Sequence, residues 1–247
     1  MGREVERLCL SGFRGASLTA GVDPNATDSE RVPVYTSLDS IPTGEEIDCI
    51  IDFSHHSCVT ALLSYATENG IPTVVATTGH TEEELETIRA AAERIPVFFS
   101  ANMSLGVALL VELAKKAAAA MPEAEIEIIE KHHNRKIDAP SGTALMLARE
   151  LCEVRPEAYT VCGRDGRRKR EPNEIGVHAI RMGNIVGEHE VIIGTDSQTV
   201  TLKHEAHSRA LFAEGALASA AFIVGKPAGL YDMKSLIGGK ETATVGN

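Results

Sequence analysis

Residues 47–79 read IDCIIDFSHHSCVTALLSYATENGIPTVVATTG. IDCIIDF is a short apolar run rich in β-branched residues. SCVTALLSYATEN spaces its apolar side chains as a helix does, and Gly70 follows as a stop signal. IPTVVATTG is a second apolar run, ending in small residues. The alternation continues outward. TEEELETIRAAAER starts with Thr81 as N-cap and Glu84 three residues on, a capping-box pattern. IPVFFSAN is a third strand and 105–121 a third helix. Continuous apolar strands separated by helices predict a parallel sheet covered on both faces. Such sheets bind ligands at the carboxyl ends of their strands. Those ends are DFS (52–54), ATTG (76–79) and SANMS (100–104), all small and polar. An earlier strand in ASLTAGVDP ends at Asp23. An acidic residue there either accepts hydrogen bonds from an adenosine ribose or, with Pro24, only starts a turn.

The second half has a different texture. EIEIIE (125–130), HEVIIG and QTVTLKH alternate, as antiparallel strands with one wetter face do. The charged stretch GRDGRRKREPNEIG between them reads as a solvated loop, of a length that often carries function. A helix over 209–224 and the segment GKPAGLYDMKSL close the chain.

With 43% hydrophobic and 24% charged residues over 247 positions, the composition is that of a soluble globular protein. A formal net charge of −11 argues against nucleic acid and anionic membranes as partners. The longest apolar runs are too short to span a bilayer, and the opening residues lack a signal-peptide pattern. Cys9, Cys49, Cys58, Cys152 and Cys162 are odd in number and widely spaced, with no C-x-x-C. Reduced thiols in a cytoplasmic protein are expected, with no metal site.

Against this acidic background the stretch KHHNRKIDAPSGTA (131–144) stands out. A strand over 125–130 delivers His132 and His133 at its end. Adjacent side chains of an extended chain point in opposite directions, so the two rings are expected to differ in role. Histidine titrates near neutral pH and suits a proton donor. Lys136 adds a fixed positive charge or a second acid. Pro140 has the φ suited to a helix's first turn. Gly142 and Thr143 then offer backbone N–H groups at the positive helix end, where a carboxylate or phosphate binds, and Gly142 permits close approach. Together they form a cup for a small dianion with a proton donor at its rim. A metal site is the rival reading, but adjacent histidines lack the i, i+4 ligand spacing and no cysteine is near. A surface strand end followed by a polar turn is the bland one.

The pattern E-x-H-H-x-x-K-x-D-A-P-S-G-T-A (130–144) resembles the signature of the dihydrodipicolinate reductases. IDFS, ATTG, SANMS, R-x-G-x-I-V-G-E-H (181–189), SRALFAEGAL (208–217) and GLYDM (229–233) resemble further family segments in family order, over nearly the whole chain. The resemblance implies an NADH- or NADPH-dependent reductase of lysine and diaminopimelate biosynthesis, acting on 4-hydroxy-2,3,4,5-tetrahydrodipicolinate. It implies an α/β fold with a Rossmann-like dinucleotide-binding lobe, residues 1–103 completed by 210–247. An α+β lobe with an open mixed sheet, residues 104–209, would bind substrate and associate as a homotetramer.

Carried over by position, His132 is the proton donor and acceptor and Lys136 a second donor. His133, Gly142, Thr143 and Arg209 hold substrate carboxylates. Asp23, Phe53, Ala76, Thr77, Thr78, Ser100, Ala101, Asn102 and Met103 contact the cofactor. Asp23 predicts NADH used at least as well as NADPH, with Arg31 the residue able to answer a 2′-phosphate. One departure stands out: MGREVERL looks like the last residues of the family's glycine-rich phosphate loop and its helix, without the preceding central strand. It predicts exposed apolar surface and weak cofactor binding. It also keeps open a non-catalytic nucleotide-binding homologue, beside a two-lobed sugar dehydrogenase.

Overall fold

A computed structural model describes residues 1–25, 32–42 and 44–238. The chain divides into two compact units, Met1–Ser104 with the chain from Ala210, and Leu105–Arg209.

The first unit opens with α1 (Gly2–Leu10), followed by β1 (Gly21–Val22), β2 (Val34–Tyr35) and β3 (Ile50–Asp52). It continues with α2 (Val59–Asn69), β4 (Thr73–Val75), α3 (Glu82–Ala92) and β5 (Pro96–Phe99). Gly70 ends α2 at φ 67°, a left-handed cap that glycine adopts without strain. The Thr81–Glu84 capping box starts α3. The second unit holds α4 (Leu105–Ala120), β6 (Glu125–His132), α5 (Gly142–Val154), β7 (Tyr159–Cys162), β8 (Glu174–Arg181), β9 (Gly187–Gly194) and β10 (Thr199–Ala206). The chain then returns to the first unit as α6 (Ala210–Ile223), β11 (Gly229–Tyr231) and α7 (Met233–Gly238).

In the first unit β11, β5, β4 and β3 form a parallel sheet in that order. Val59, Leu63, Ile88 and Ala92 of α2 and α3 pack against Val75 and Val97 on one face. On the other, Val5 and Leu8 of α1 meet Ala213 and Leu217 of α6, with Ile51 and Phe53 against them. Apolar side chains on both faces are what the uninterrupted strands require. The strand expected in ASLTAGVDP is confined to Gly21–Val22, and with β2 it forms a separate two-stranded parallel sheet. Among the described strands, β3 is an edge of the four-stranded sheet.

In the second unit the sheet order is β10-β9-β6-β8-β7. It is mixed: β6 runs parallel to β8 and antiparallel to β9. Ile126 and Ile128, Ile175 and Val177, and Val191 and Ile193 share one face and pack on Leu110 and Val111 of α4 and Leu147 and Leu151 of α5. The alternate residues Glu127, Ile129 and Lys131 lie on the opposite face. The stretch read as a solvated loop, 163–176, is corrected in its last three residues. Glu174 begins β8 and is buried, because Arg164 and Arg168 both donate to its carboxylate. Those two cations hold Glu174 down at a pKa of about 2.

Candidate active site

The core-facing row of the strand β6 starts apolar and ends polar. Its inward residues run Ile126, Ile128, Glu130, His132, so a carboxylate and an imidazole end a core-facing row. Glu130 is fully buried. Its Oε2 lies 2.6 Å from His132 Nδ1. Arg181, at the end of neighbouring β8, donates to both carboxylate oxygens at 2.7 Å. The Ser141 N–H donates to Oε1 at 2.9 Å. Burial pushes the Glu130 carboxyl up, but Arg181, His132 and Ser141 together hold it below the ordinary carboxylate value. A buried charge with this many donors is compensated rather than stranded.

His132 Nε2 is close to Gly187 on β9, where a Cβ would stand 3.1 Å from it. The His189 ring packs edge-on against His132 with centroids 5.2 Å apart. His189 is buried and its pKa falls to about 4, by burial first and then by repulsion from His132. Its Nε2 hydrogen-bonds Ser141 Oγ at 3.0 Å.

Beyond β6 the chain turns sharply, with the Lys136 N–H donating to the His133 carbonyl. Here the expectation for Pro140 is corrected. Pro140 precedes the helix, joined to Ala139 by a cis peptide, and Ser141 is the N-cap, its Oγ accepting the Ala144 N–H. Serine outcompetes proline at this boundary because its side chain satisfies an orphan N–H. Gly142 and Thr143 are therefore the first two residues of α5. No atom lies within 4 Å of where a Gly142 Cβ would be, so the backbone there is open to a ligand. His133 Nδ1 is buried with no hydrogen-bond partner. Burial, then Arg135, His132, Lys136 and Arg209, push the His133 pKa down. Half-buried Lys136 and exposed Asp138 pair at 2.8 Å. His132, His133, Lys136, Gly142, Thr143 and Arg209 thus all belong to the second unit.

The other predicted residues lie in the first unit. Asp52 at the end of β3 is buried, accepts from Ser54 N–H and Oγ, and accepts from Thr77 Oγ1 at 2.7 Å. This ties the β3 and β4 ends together. Ala76 and Thr77 are buried, while Thr78 is exposed. Ser100 Oγ donates to the Asn102 carbonyl, and Asn102 Oδ1 accepts the Ser104 N–H, shaping the turn after β5. Ala101 is exposed at its tip and Met103 buried beneath. Phe53 packs on the α1–α6 cluster. Asp23 is exposed, and its Oδ1 accepts the Asn25 N–H as in a turn. Arg31 lies outside the described residues. Rigidly tied turns with exposed small and hydroxylated tips, next to the buried and unpartnered Nε2 of His80, fit the polar edges of a dinucleotide.

Sequence reading missed Glu130, Ser141, Arg181 and His189 as members of the cup. Glu130 carried a signal: two residues before His132 on a strand, it must share that residue's face. Arg181 and His189 open and close the segment R-x-G-x-I-V-G-E-H (181–189), but their place beside Glu130 and Ser141 comes only from the β6–β8 and β6–β9 pairings.

Two family models match the chain. Dihydrodipicolinate reductase, N-terminus, covers residues 1–103, and Dihydrodipicolinate reductase, C-terminus, covers residues 106–237. A 4-hydroxy-tetrahydrodipicolinate reductase of Caldanaerobacter subterraneus subsp. tengcongensis is 48% identical over 239 residues, 96% of this chain and 94% of its own. One of Clostridium tetani is 43% identical, over 96% and 92%. The dipicolinate-bound dihydrodipicolinate reductase from Paenisporosarcina sp. TG-14 superposes with a TM-score of 0.80 at 27% identity, covering 94% of this chain and 92% of that one. A myo-inositol dehydrogenase from Corynebacterium glutamicum, at TM-score 0.54 and 18% identity over 92% of this chain and 86% of its own, shares the fold alone.

Proposed function

The chain belongs to the dihydrodipicolinate reductase family. On that premise we propose that it reduces 4-hydroxy-2,3,4,5-tetrahydrodipicolinate, with loss of water, to tetrahydrodipicolinate in lysine and diaminopimelate biosynthesis. The observation that carries this reading is the cup of the second unit. A histidine held by a buried carboxylate, an unpartnered histidine nitrogen, a lysine and an open helix N-terminus sit within one turn of chain. The comparisons give no support to a non-catalytic homologue.

The substrate is a dianion. We assign one carboxylate to the Gly142 and Thr143 positions, where the helix dipole favours negative charge. His133 and Arg209 serve the other, and the buried Nδ1 of His133 gains through it the partner it lacks. Lys136, already paired with Asp138, adds positive charge at the rim. When bound, NADH or NADPH supplies a hydride to the conjugated substrate. The cations and the acid of the cup would stabilise the negative charge that reduction places on the substrate. His132 gives up the proton that neutralises it, its Nε2–H bond breaking, and regains one from solvent. Asp23, Phe53, Ala76, Thr77, Thr78, Ser100, Ala101, Asn102 and Met103 would hold the cofactor, the exposed ones by contact and the buried ones by shaping the turns.

The chain acts in the cytoplasm as a homotetramer in this reading. Among the described residues no helix is long and apolar enough to cross a membrane. The face of the second sheet that carries Glu127, Ile129 and Lys131 is opposite the one that packs on α4 and α5, which supports association through it.

Calorimetric titration with dipicolinate, a planar dianion, tests the reading. Binding is expected, weakened roughly tenfold or more in Thr143→Val: the backbone N–H stays, but the hydroxyl we place beside it on the same carboxylate is lost, and a hydrogen bond to a charged group contributes about 1.5–3 kcal/mol. Equal affinity in the variant, or comparable binding of myo-inositol, would contradict it.

A further inference from the structure

Glu130 is the most completely bonded side chain of the cup, and nothing in the proposed reaction yet uses it. It is 0% exposed. Its two oxygens take four donors from three elements: His132 Nδ1 on its own strand, both terminal nitrogens of Arg181 on β8, and the Ser141 N–H at the cap of α5. Arg181 is itself fixed, donating also to the Asp138 carbonyl at 2.6 Å.

An ionised carboxylate can only accept. Nδ1 of His132 must therefore carry a hydrogen in both charge states, and Nε2 alone can gain or lose the working proton. We infer that Glu130 is the positioning residue of His132: its carboxylate fixes the imidazole as the Nδ1–H tautomer and leaves Nε2, beside Gly187, as the proton-transferring atom. This rests on the reading of His132 as the acid. Arg181 and Ser141 hold the carboxylate in place. Because Ser141 is also the N-cap of α5, the same oxygens set the distance between the acid and the amides of Gly142 and Thr143. Gly187 is part of the device, since a Cβ there would stand 3.1 Å from Nε2. The charged and titratable groups about His132 are Glu130 and His133 from its own segment, Arg181 on β8 through Glu130, and His189 from β9; Lys136 acts on His133 and His189.

Two measurements on the full chain test this. In the ¹⁵N-histidine-labelled wild type at alkaline pH, the His132 resonances, assigned by their loss in His132→Gln, should show the Nδ1–H tautomer. An Nε2–H tautomer overturns the inference, whether or not any Glu130 variant folds. In steady-state kinetics Glu130→Gln should lower kcat on the order of 10²-fold, with the substrate KM within about threefold because ground-state binding is untouched. Introduced into His132→Gln, the same change should cost less than about threefold, since the two residues act as a unit. An equal loss in both backgrounds would make Glu130 a structural residue and overturn the inference. Full wild-type kcat in His132→Gln would instead remove the acid role of His132, and the positioning role with it.

Discussion

Ser141 Oγ lies 3.0 Å from His189 Nε2 while accepting the Ala144 N–H at 3.2 Å, so one buried hydroxyl caps α5 and ties it to β9. Ser141→Ala removes the cap, worth about 0.5–2 kcal/mol. It also leaves a buried ring nitrogen unpaired, which costs about 1–3 kcal/mol. A loss of about 2–4 kcal/mol in urea unfolding, with an unchanged m-value, is expected. A loss below about 0.5 kcal/mol would show that the bridge contributes nothing.

His189 makes stability pH-dependent with a definite sign. Its folded pKa of about 4 lies below the ordinary 6.5, because burial disfavours the imidazolium. Between those values the unfolded chain binds more protons, so stability rises with pH. The contribution is complete above about 6.5, falls as the pH drops toward 4, and amounts to on the order of 3 kcal/mol. Thermal melts of wild type and His189→Gln across pH 4–7 should converge on acidification. Parallel curves would mean that His189 titrates normally.

Gly215 of α6 has its backbone against the Met103 carbonyl, where a Cβ would stand 1.7 Å from the oxygen. The clash is with backbone, so no rotamer relieves it. Gly215→Ala should destabilise by about 1–3 kcal/mol or more and displace the 100–104 turn, raising the KM for NADH. An unchanged melting temperature and KM would show that the helix shifts freely.

Much of this was legible in the sequence wherever the cause is local. Gly70, the Thr81–Glu84 box and the alternation of EIEIIE each act within a few residues, and each element formed where it was expected. What escaped depends on partners far along the chain. The four-residue β7 and three-residue β11 are strands because β8 and β5 lie beside them, and their sequences hold too few residues for a period. Glu174 reads as one more charge in a charged loop until Arg164 and Arg168 close over it. The cup was visible as cations before a helix. Its buried half was not, because Arg181 reaches Glu130 from 51 residues away and His189 reaches Ser141 from 48.

Asp23, exposed just after β1, carries a prediction on cofactor choice. A carboxylate at the end of that strand accepts from a ribose 2′-hydroxyl and repels a 2′-phosphate. NADH should give a kcat/KM at least equal to that of NADPH, and Asp23→Asn should shift the ratio toward NADPH. A clear NADPH preference in the wild type would assign Asp23 only to the turn it makes with Asn25.

The most direct measurement is the oxidation of NADH and NADPH by the chain when the unstable product of the preceding synthase is generated in the same cuvette. Oxidation is expected only with that dianion present, and competitive inhibition by dipicolinate should accompany it. No turnover with the dianion, or equal turnover with a neutral cyclic polyol, would contradict the account.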